Sequence, residues 1–140
     1  MPKTPRSFRF SSSLLESLQK RAEETGSTVT SLAERYVEEG IRRDAHPLVF
    51  FREGLGGRRP AIVGTRLDVG QVIETLRQSH NSTSETADYL SIPEPWVRAA
   101  VRYYADYQPE VDEWIERMHI VAEREESAWR REQAVLEPHA

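Results

Sequence analysis

The feature that most constrains this chain is a short alternating segment near its N-terminus, Arg6–Ser11, which two helix-forming stretches follow. Phe8 and Phe10 would lie on one face of a strand, because successive strand side chains point to opposite sides. The opposite, polar face would carry Ser7, Arg9 and Ser11. No hairpin partner lies nearby in the sequence, and an unpaired strand leaves a row of free backbone N–H and C=O groups. We therefore predict that the strand pairs with its copy in a second chain, as a ribbon narrow enough for the DNA major groove.

Two amphipathic helices are predicted after this segment, with a glycine between them. Apolar residues recur at helical spacing over 14–22 and again over 29–41. Ser11, Ser12 and Ser13 all offer N-cap hydroxyls for the first helix, and Glu16 is in capping-box spacing with Ser13. Gly26 is suited to end this helix, and Thr28 is the best N-cap for the second. Because a unit below about 40 residues usually needs disulfides, a metal or a partner, and the chain has no cysteine, we expect a second copy to complete the core.

The stretch from Phe8 to about Arg43 resembles a ribbon-helix-helix domain, the fold of small bacterial and phage repressors. The most specific part is the run Gly26–Ser31, which is similar to the family's turn and second-helix start. In that family the outward ribbon residues contact bases, and the N-terminus of the second helix holds a phosphate. The resemblance implies base contacts from Ser7, Arg9 and Ser11, a phosphate clamp at Thr28, Thr30 and Ser31, and a dimer core of Phe8, Phe10, Leu32 and Tyr36.

The chemistry of these residues agrees with that assignment. Arginine is the usual bidentate partner of guanine, and free N–H groups with the helix dipole favour a phosphate. Taken singly, each residue has a simpler interpretation, since an exposed arginine is usually only solvated and a threonine N-cap is usually only a cap. The agreement between strand, helices, turn and charge favours the functional interpretation. The two serines beside Arg9 predict weak or water-mediated base recognition.

The charge is divided unevenly along the chain. The net charge of −4 argues against a simple nucleic-acid binder, but residues 1–66 hold 12 basic and 8 acidic side chains, against 7 and 15 in residues 67–140. A basic front and an acidic rear are typical of a protein that contacts DNA with one end and another partner with the other. We divide the chain into a DNA-binding and dimerisation domain, 1–45, and a second domain, 46–140.

The second domain is predicted to begin with a β-hairpin over 46–67, followed by a helical core over 68–107 and a long helix over 109–136. Glycines at 54, 56 and 57 mark the hairpin turn, and Asp68 is a plausible N-cap for the next helix. Ser84 is predicted to cap a short helix that precedes the turn Ser91–Pro93. The predicted fold is therefore mainly α with short β, with a trihelical or helix-turn-helix-like core.

Two runs in this domain, Arg59–Arg66 and Val97–Tyr104, are similar to a bacterial family of unknown function, the DUF numbered four-thirty-three, whose members are often called VapB-like antitoxins. The similarity extends over about residues 46–116, and its Gly-Thr-Arg element is the more distinctive part. It implies an antitoxin whose partner is a PIN-like ribonuclease toxin.

Two features of the second domain have competing interpretations. The helices at 84–90 and 94–106 could form a DNA-binding helix-turn-helix with Arg98 and Arg102 facing DNA. We favour a packed trihelical core in which these arginines pair with acids such as Glu94 and Asp106, because this half is acidic.

The last helix has a narrow apolar stripe among charged residues, which suits either toxin binding or self-association. The candidate toxin-binding residues are Trp114, Met118, Ala122, Trp129 and Arg130.

Several function classes have little support in the sequence. The four histidines are far apart and cysteine is absent, so we expect no metal site. The glycines near residue 56 lack the Lys-Ser/Thr end of a P-loop. We find no nucleophile–base pair, and expect neither an enzyme nor a cofactor. With only short apolar runs and no signal peptide, we expect a soluble cytoplasmic protein.

The sequence thus favours an antitoxin of a type II toxin–antitoxin system, which forms a homodimer or a higher even-numbered oligomer. It is expected to repress its own operon through operator DNA and to inhibit a ribonuclease toxin. The alternative is a stand-alone ribbon-helix-helix transcriptional regulator without a toxin. A nucleic-acid hydrolase is the third and least supported hypothesis.

Overall fold

A computed structural model describes residues 2–139 of the chain. Over these residues it contains six helices and one antiparallel sheet of two strands. The predicted class, mainly α with short β, is confirmed. The chain divides into two compact units, of which the first ends at Arg42 and the second begins at Arg43.

The first unit is built on two helices, α1 (Ser12–Thr25) and α2 (Val29–Ala45), the second of which extends past the end of the unit. Gly26 ends α1 in the left-handed conformation, with φ of 64°, which a residue without a Cβ adopts at little cost. Its N–H bonds the carbonyls of the last turn of α1. The predicted helix–glycine–helix arrangement is therefore present.

The N-cap of α1 is the first of the three serines predicted as candidates. The N-cap is Ser11, whose Oγ accepts a 3.2 Å hydrogen bond from the backbone N–H of Leu14. Ser13 lies inside the first turn instead, so the predicted capping box with Glu16 does not form. Serine is a preferred N-cap residue, so all three serines are suitable by type. The backbone conformation selects Ser11.

The predicted strand Arg6–Ser11 is neither strand nor helix in the single chain, where residues 2–11 are exposed. Lys3 ties this segment to α2 through a 2.9 Å ion pair with Glu34. The predicted pairing partner of the strand is the same segment of a second chain. Intermolecular strand pairing consequently stays a prediction.

The second unit begins with a β-hairpin and continues with four helices. Its elements are β1 (Val49–Gly54), β2 (Gly57–Ile62), α3 (Val69–Gln78), α4 (Thr83–Leu90), α5 (Glu94–Asp106) and α6 (Gln108–Leu136). The strands pair from Val49 opposite Ile62 to Gly54 opposite Gly57. The hairpin and the long last helix therefore lie where the sequence predicts them.

The core of the second unit lies between the hairpin, α3, α4, α5 and the start of α6. Tyr103 of α5 is the largest fully buried side chain in this core. The ring of Phe51 from β1 meets it edge-on at 6.4 Å, and Tyr107 lies 4.7 Å from it. The remaining buried apolar residues of the cluster are Val49, Ile62, Val69, Val72, Ile73, Ala87, Val97, Ala100, Val111 and Ile115.

Two N-caps position the helices of this core. Asp68 caps α3 in a full capping box, since its carboxylate accepts from the N–H of Gln71 and the Gln71 side chain accepts from the N–H of Asp68. Ser82 caps α4, because its Oγ accepts a 3.2 Å hydrogen bond from the backbone N–H of Glu85. The prediction of Ser84 as this cap is wrong, because α4 begins at Thr83 and Ser84 is its second residue.

The hairpin turn packs closely against α6. Gly56 has φ of 90°, and a Cβ built on it would overlap the terminal methyl of Met118. A side chain at this position would therefore both strain the turn and displace Met118. Met118 therefore packs against the hairpin turn of its own unit.

A polar cluster on the surface joins three helices of the second unit. Arg77 of α3 donates to Tyr104 Oη of α5 at 2.7 Å and to the Asp112 carboxylate of α6 at 2.6 Å, while Tyr104 Oη donates to the same carboxylate at 2.8 Å. The hydrogen bond from Arg77, with that from Tyr104, lowers the pKa of Asp112 below its ordinary value. The ionised carboxylate is therefore the form that the folded unit stabilises.

We predict that Asp112→Asn lowers the free energy of unfolding at pH 7 by up to about 1 kcal/mol, a modest value because the Asp112 side chain is 44% exposed. A depressed pKa in the folded state contributes stability above the ordinary carboxyl pKa of about 3.9, and that contribution is lost as the pH falls through the depressed value. Urea unfolding of wild type and variant between neutral and acidic pH should show the gap closing below about pH 4.

The matched control for this experiment is Glu116→Gln on the same helix. Glu116 is exposed and has no hydrogen-bond or ion-pair partner within residues 2–139. This variant should change the unfolding free energy little at any pH. An equal pH-dependent loss in both variants would contradict the role of the Arg77 cluster.

Candidate nucleic-acid and partner interfaces

The turn between α1 and α2 places three hydroxyl side chains at the N-terminus of α2. Thr28 caps this helix, because its Oγ1 accepts a 3.1 Å hydrogen bond from the N–H of Ser31. Thr28, Thr30 and Ser31 are all exposed, and the first turn of α2 contains no acidic residue. The free N–H groups and the positive end of the helix dipole make this terminus chemically suited to a phosphate oxygen.

The predicted base-contacting residues lie in the exposed N-terminal segment. Ser7 and Arg9 are exposed, and Arg9 has no hydrogen-bond or ion-pair partner in the part of the chain that the structure describes. Ser11 is different, because its hydroxyl already accepts the capping hydrogen bond of α1. Of the three residues, Arg9 and Ser7 have side chains free to bond a ligand, while Ser11 is tied to the helix.

The apolar stripes of α1 and α2 are buried only near the turn that joins them. Leu18, Ala22 and Leu32 form the small core of this unit, with Val29 and Ala33 packed against it. The parts of the stripes that lie farther from the turn are exposed together with the aromatic residues of the N-terminal segment. These exposed residues are Phe8 (75%), Phe10 (44%), Leu14 (52%), Leu15 (39%), Tyr36 (42%), Val37 (60%) and Ile41 (64%).

The predicted dimer-core residues are thus in two different environments. Leu32 is 1% exposed and belongs to the core of the single unit. Phe8, Phe10 and Tyr36 are exposed and available to a second chain. A dimer interface built on this unit would use the last three and the neighbouring exposed leucine, valine and isoleucine side chains, with Leu32 supporting them from within.

The predicted toxin-binding residues of α6 are also divided by burial. Trp114 is 7% exposed, and its ring has two guanidinium groups nearby, those of Arg59 at 5.6 Å and Arg117 at 5.7 Å. Met118 covers the hairpin turn at Gly56. Both side chains are used within the second unit, Trp114 as a buried and Met118 as a half-buried residue, so they offer less surface to a partner than predicted.

Farther along α6, the side chains face solvent. Ala122 is exposed, Trp129 is 57% exposed, and Arg130 is paired with Glu126 one turn earlier at 2.5 Å. The buried residues of this helix are confined to its first turns, at Val111, Trp114 and Ile115. The distal half of α6 is therefore the part of the predicted partner surface that remains accessible.

The distal half of α6 contains a seven-residue repeat of apolar pairs that the predicted toxin-binding residues do not include in full. Pairs of apolar residues recur at 121–122, 128–129 and 135–136, with Glu125 and Glu132 between them and Arg124 and Arg131 beside these acids. Seven residues make nearly two helical turns, so the pairs lie along one side of α6. The sequence signal that reveals this face is the constant spacing, and not the hydrophobicity of any one position.

The alternative DNA-binding arginines of α5 behave differently from each other. Arg98 pairs with Glu94 at 2.9 Å, as predicted for a packed core. The hydrogen bond from the Thr83 hydroxyl, followed by that from Arg98, lowers the pKa of Glu94. The prediction that Arg102 also pairs with an acid is wrong, because Arg102 has no ion-pair partner within residues 2–139 and Asp106 shares a 2.8 Å hydrogen bond with the buried His46.

No group of three or more His, Cys, Asp or Glu side chains that could hold a metal ion occurs within residues 2–139. Over the same residues, no helix is both long and apolar enough to span a bilayer. In the comparisons with protein-family models, with curated proteins and with solved structures, nothing matches this chain.

Proposed function

We propose that the protein is a homodimeric DNA-binding antitoxin that represses its own operon and inhibits a PIN-like ribonuclease toxin. The observation that carries the DNA-binding half is the incomplete core of the first unit. Its helices bury three apolar side chains between them and leave five large ones exposed, and the segment before them exposes Phe8 and Phe10 and has no strand partner within residues 2–139. A second copy pairing along this segment would cover the apolar face and satisfy the free backbone groups.

The same pairing would give the unit its DNA-binding surface. A two-stranded ribbon from two chains would present two copies of Arg9, the residue whose guanidinium is free for a guanine edge. The N-terminus of α2, with its exposed hydroxyls, would hold a backbone phosphate on each side. The resemblance to ribbon-helix-helix repressors supports this assignment.

The antitoxin half of the proposal is supported by the distal part of α6 and by the resemblance of residues 46–116 to VapB-like antitoxins. An exposed amphipathic helix with a tryptophan anchor is suited to a groove on a partner protein. The face is less suited to self-association. Glu125 and Glu132 lie within it, so two parallel copies in register would oppose like charges along the seam.

We predict that Phe10→Ser converts the protein from a dimer to a monomer, because Phe10 belongs to the apolar face that the second copy would cover. Sedimentation velocity of the full chain at micromolar concentration measures this change. The matched control is Tyr89→Ser, which removes an aromatic side chain that is 77% exposed on the second unit and should leave the oligomeric state unchanged. A monomeric wild-type protein under these conditions would refute the dimer.

We predict that Arg9→Ala costs about 1–3 kcal/mol of specific affinity for the DNA upstream of the protein's own gene, since a bidentate arginine–guanine contact is lost. Fluorescence anisotropy at several salt concentrations measures this cost. Lys20→Ala removes a cation of the same unit from α1 and should change specific affinity little. Unchanged affinity in Arg9→Ala, or an equal loss in Lys20→Ala, would exclude Arg9 as a base-contacting residue.

We predict that a chain ending at Ile120 still binds operator DNA and no longer inhibits the toxin. This truncation keeps the buried start of α6 and the Met118 contact, and none of the described residues that it removes is buried. The full-length variant Trp129→Glu should lose inhibition as well, because it places a charge in the proposed anchor.

Co-purification with the product of the neighbouring gene, followed by a ribonuclease assay, measures both variants. A neighbouring product that has no ribonuclease activity, or that does not bind the wild-type chain, would leave the stand-alone regulator as the better hypothesis. Inhibition by the truncated chain would instead show that the toxin surface lies elsewhere.

A further inference from the structure

An open pocket with a volume of about 340 Å³ lies within the second unit, between the segment 45–49 and one face of α5. The α5 residues that line it are Pro95, Arg98, Ala99 and Arg102. Their spacing of i, i+3, i+4 and i+7 places them in one row along the helix. The volume is at the lower end of the range of small-molecule sites, about 300–1,000 Å³.

The floor and walls of this pocket are apolar and stiff. Pro47 and Leu48 form one side, with Pro95 and Ala99 on the other. Proline rings have a fixed φ and present flat apolar faces. The imidazole of His46, 5% exposed, also lines the recess. A flat apolar group of roughly one ring would fit between such walls.

The charges around the pocket leave one cation without a partner. Arg98 is neutralised by Glu94, which the Thr83 hydroxyl also holds at 2.8 Å. His46 shares its Nε2 hydrogen bond with Asp106. Arg102 is exposed and has no hydrogen-bond or ion-pair partner among the described side chains.

The position of these arginines also bears on the helix-turn-helix hypothesis. A recognition helix projects from its domain so that its side chains enter the major groove. Arg98 and Arg102 instead border a recess whose other side is the segment 45–49. The geometry suits a small ligand that enters the protein better than a protein helix that enters DNA.

We propose that this pocket binds a small aromatic monocarboxylate, with its ring between the apolar walls and its carboxylate on Arg102. A single unpaired guanidinium matches a single negative charge, and it can donate two parallel hydrogen bonds to a carboxylate. A dianionic phosphate would keep one charge uncompensated at this rim. The proposal rests on the pocket alone and is independent of the proposed DNA and toxin binding.

Isothermal titration of the full chain with benzoate at pH 7 tests the ligand class. Benzoate should bind saturably, and benzyl alcohol, which has the same ring and no charge, should bind about tenfold or more weakly. Acetate, which lacks the ring, should also bind more weakly than benzoate. Equal affinity for benzyl alcohol, tighter binding of phenyl phosphate, or no saturable binding at about 10 mM benzoate would overturn the proposal.

Two variants locate the site. Arg102→Gln should weaken benzoate binding about tenfold or more, and Ala99→Leu should abolish it by filling the recess between the prolines. The matched control is Arg124→Gln, which removes another exposed arginine that has no partner within residues 2–139 and lies on α6. Unchanged affinity in Arg102→Gln, or an equal loss in Arg124→Gln, would contradict the assignment even if Ala99→Leu failed to fold.

Discussion

The first unit is governed by an imbalance between the apolar side chains that it carries and those that two helices can bury against each other. The stripes of α1 and α2 meet only near Gly26, where Leu18, Ala22 and Leu32 are buried. Beyond this small core the stripes are exposed. Burial of apolar surface contributes roughly 25 cal/mol per Å², and a few buried side chains cannot offset the conformational entropy of some forty ordered residues. The proposal of a dimer follows from this imbalance.

The second unit solves the same problem within one chain. The hairpin, three short helices and the start of α6 enclose Tyr103, and the caps Asp68 and Ser82 fix where two of the helices begin. Trp114 and Met118 are used in this enclosure, against the hairpin arginine and the turn glycine. The part of α6 that stays accessible to a partner is its distal half, where the apolar pairs and the acids alternate. The structural role and the proposed interaction role are therefore separated along one continuous helix.

Acid–base partners in the second unit also decide which cations remain available. Hydroxyl and guanidinium donors lower the pKa values of Glu94 and Asp112. Each ionised carboxylate therefore binds one arginine, Arg98 or Arg77, at the surface of the unit. Asp106 is bonded to His46 and does not reach Arg102. This choice of partner, made by tertiary packing, leaves Arg102 at the rim of an apolar pocket. The partner of one carboxylate therefore decides whether the arginine at this position is neutralised or unpaired.

The sequence alone determined the mainly helical class, the hairpin, the glycine-ended first helix and the long last helix, because these follow from local spacing and from the backbone preferences of glycine, proline and capping residues. It also identified the exposed arginine and aromatic residues of the N-terminal segment. The tertiary structure decided which serine caps each helix, which half of α6 is accessible, and that Arg102 lacks the acid expected for it. These outcomes depend on distances between residues remote in sequence, which periodicity does not contain.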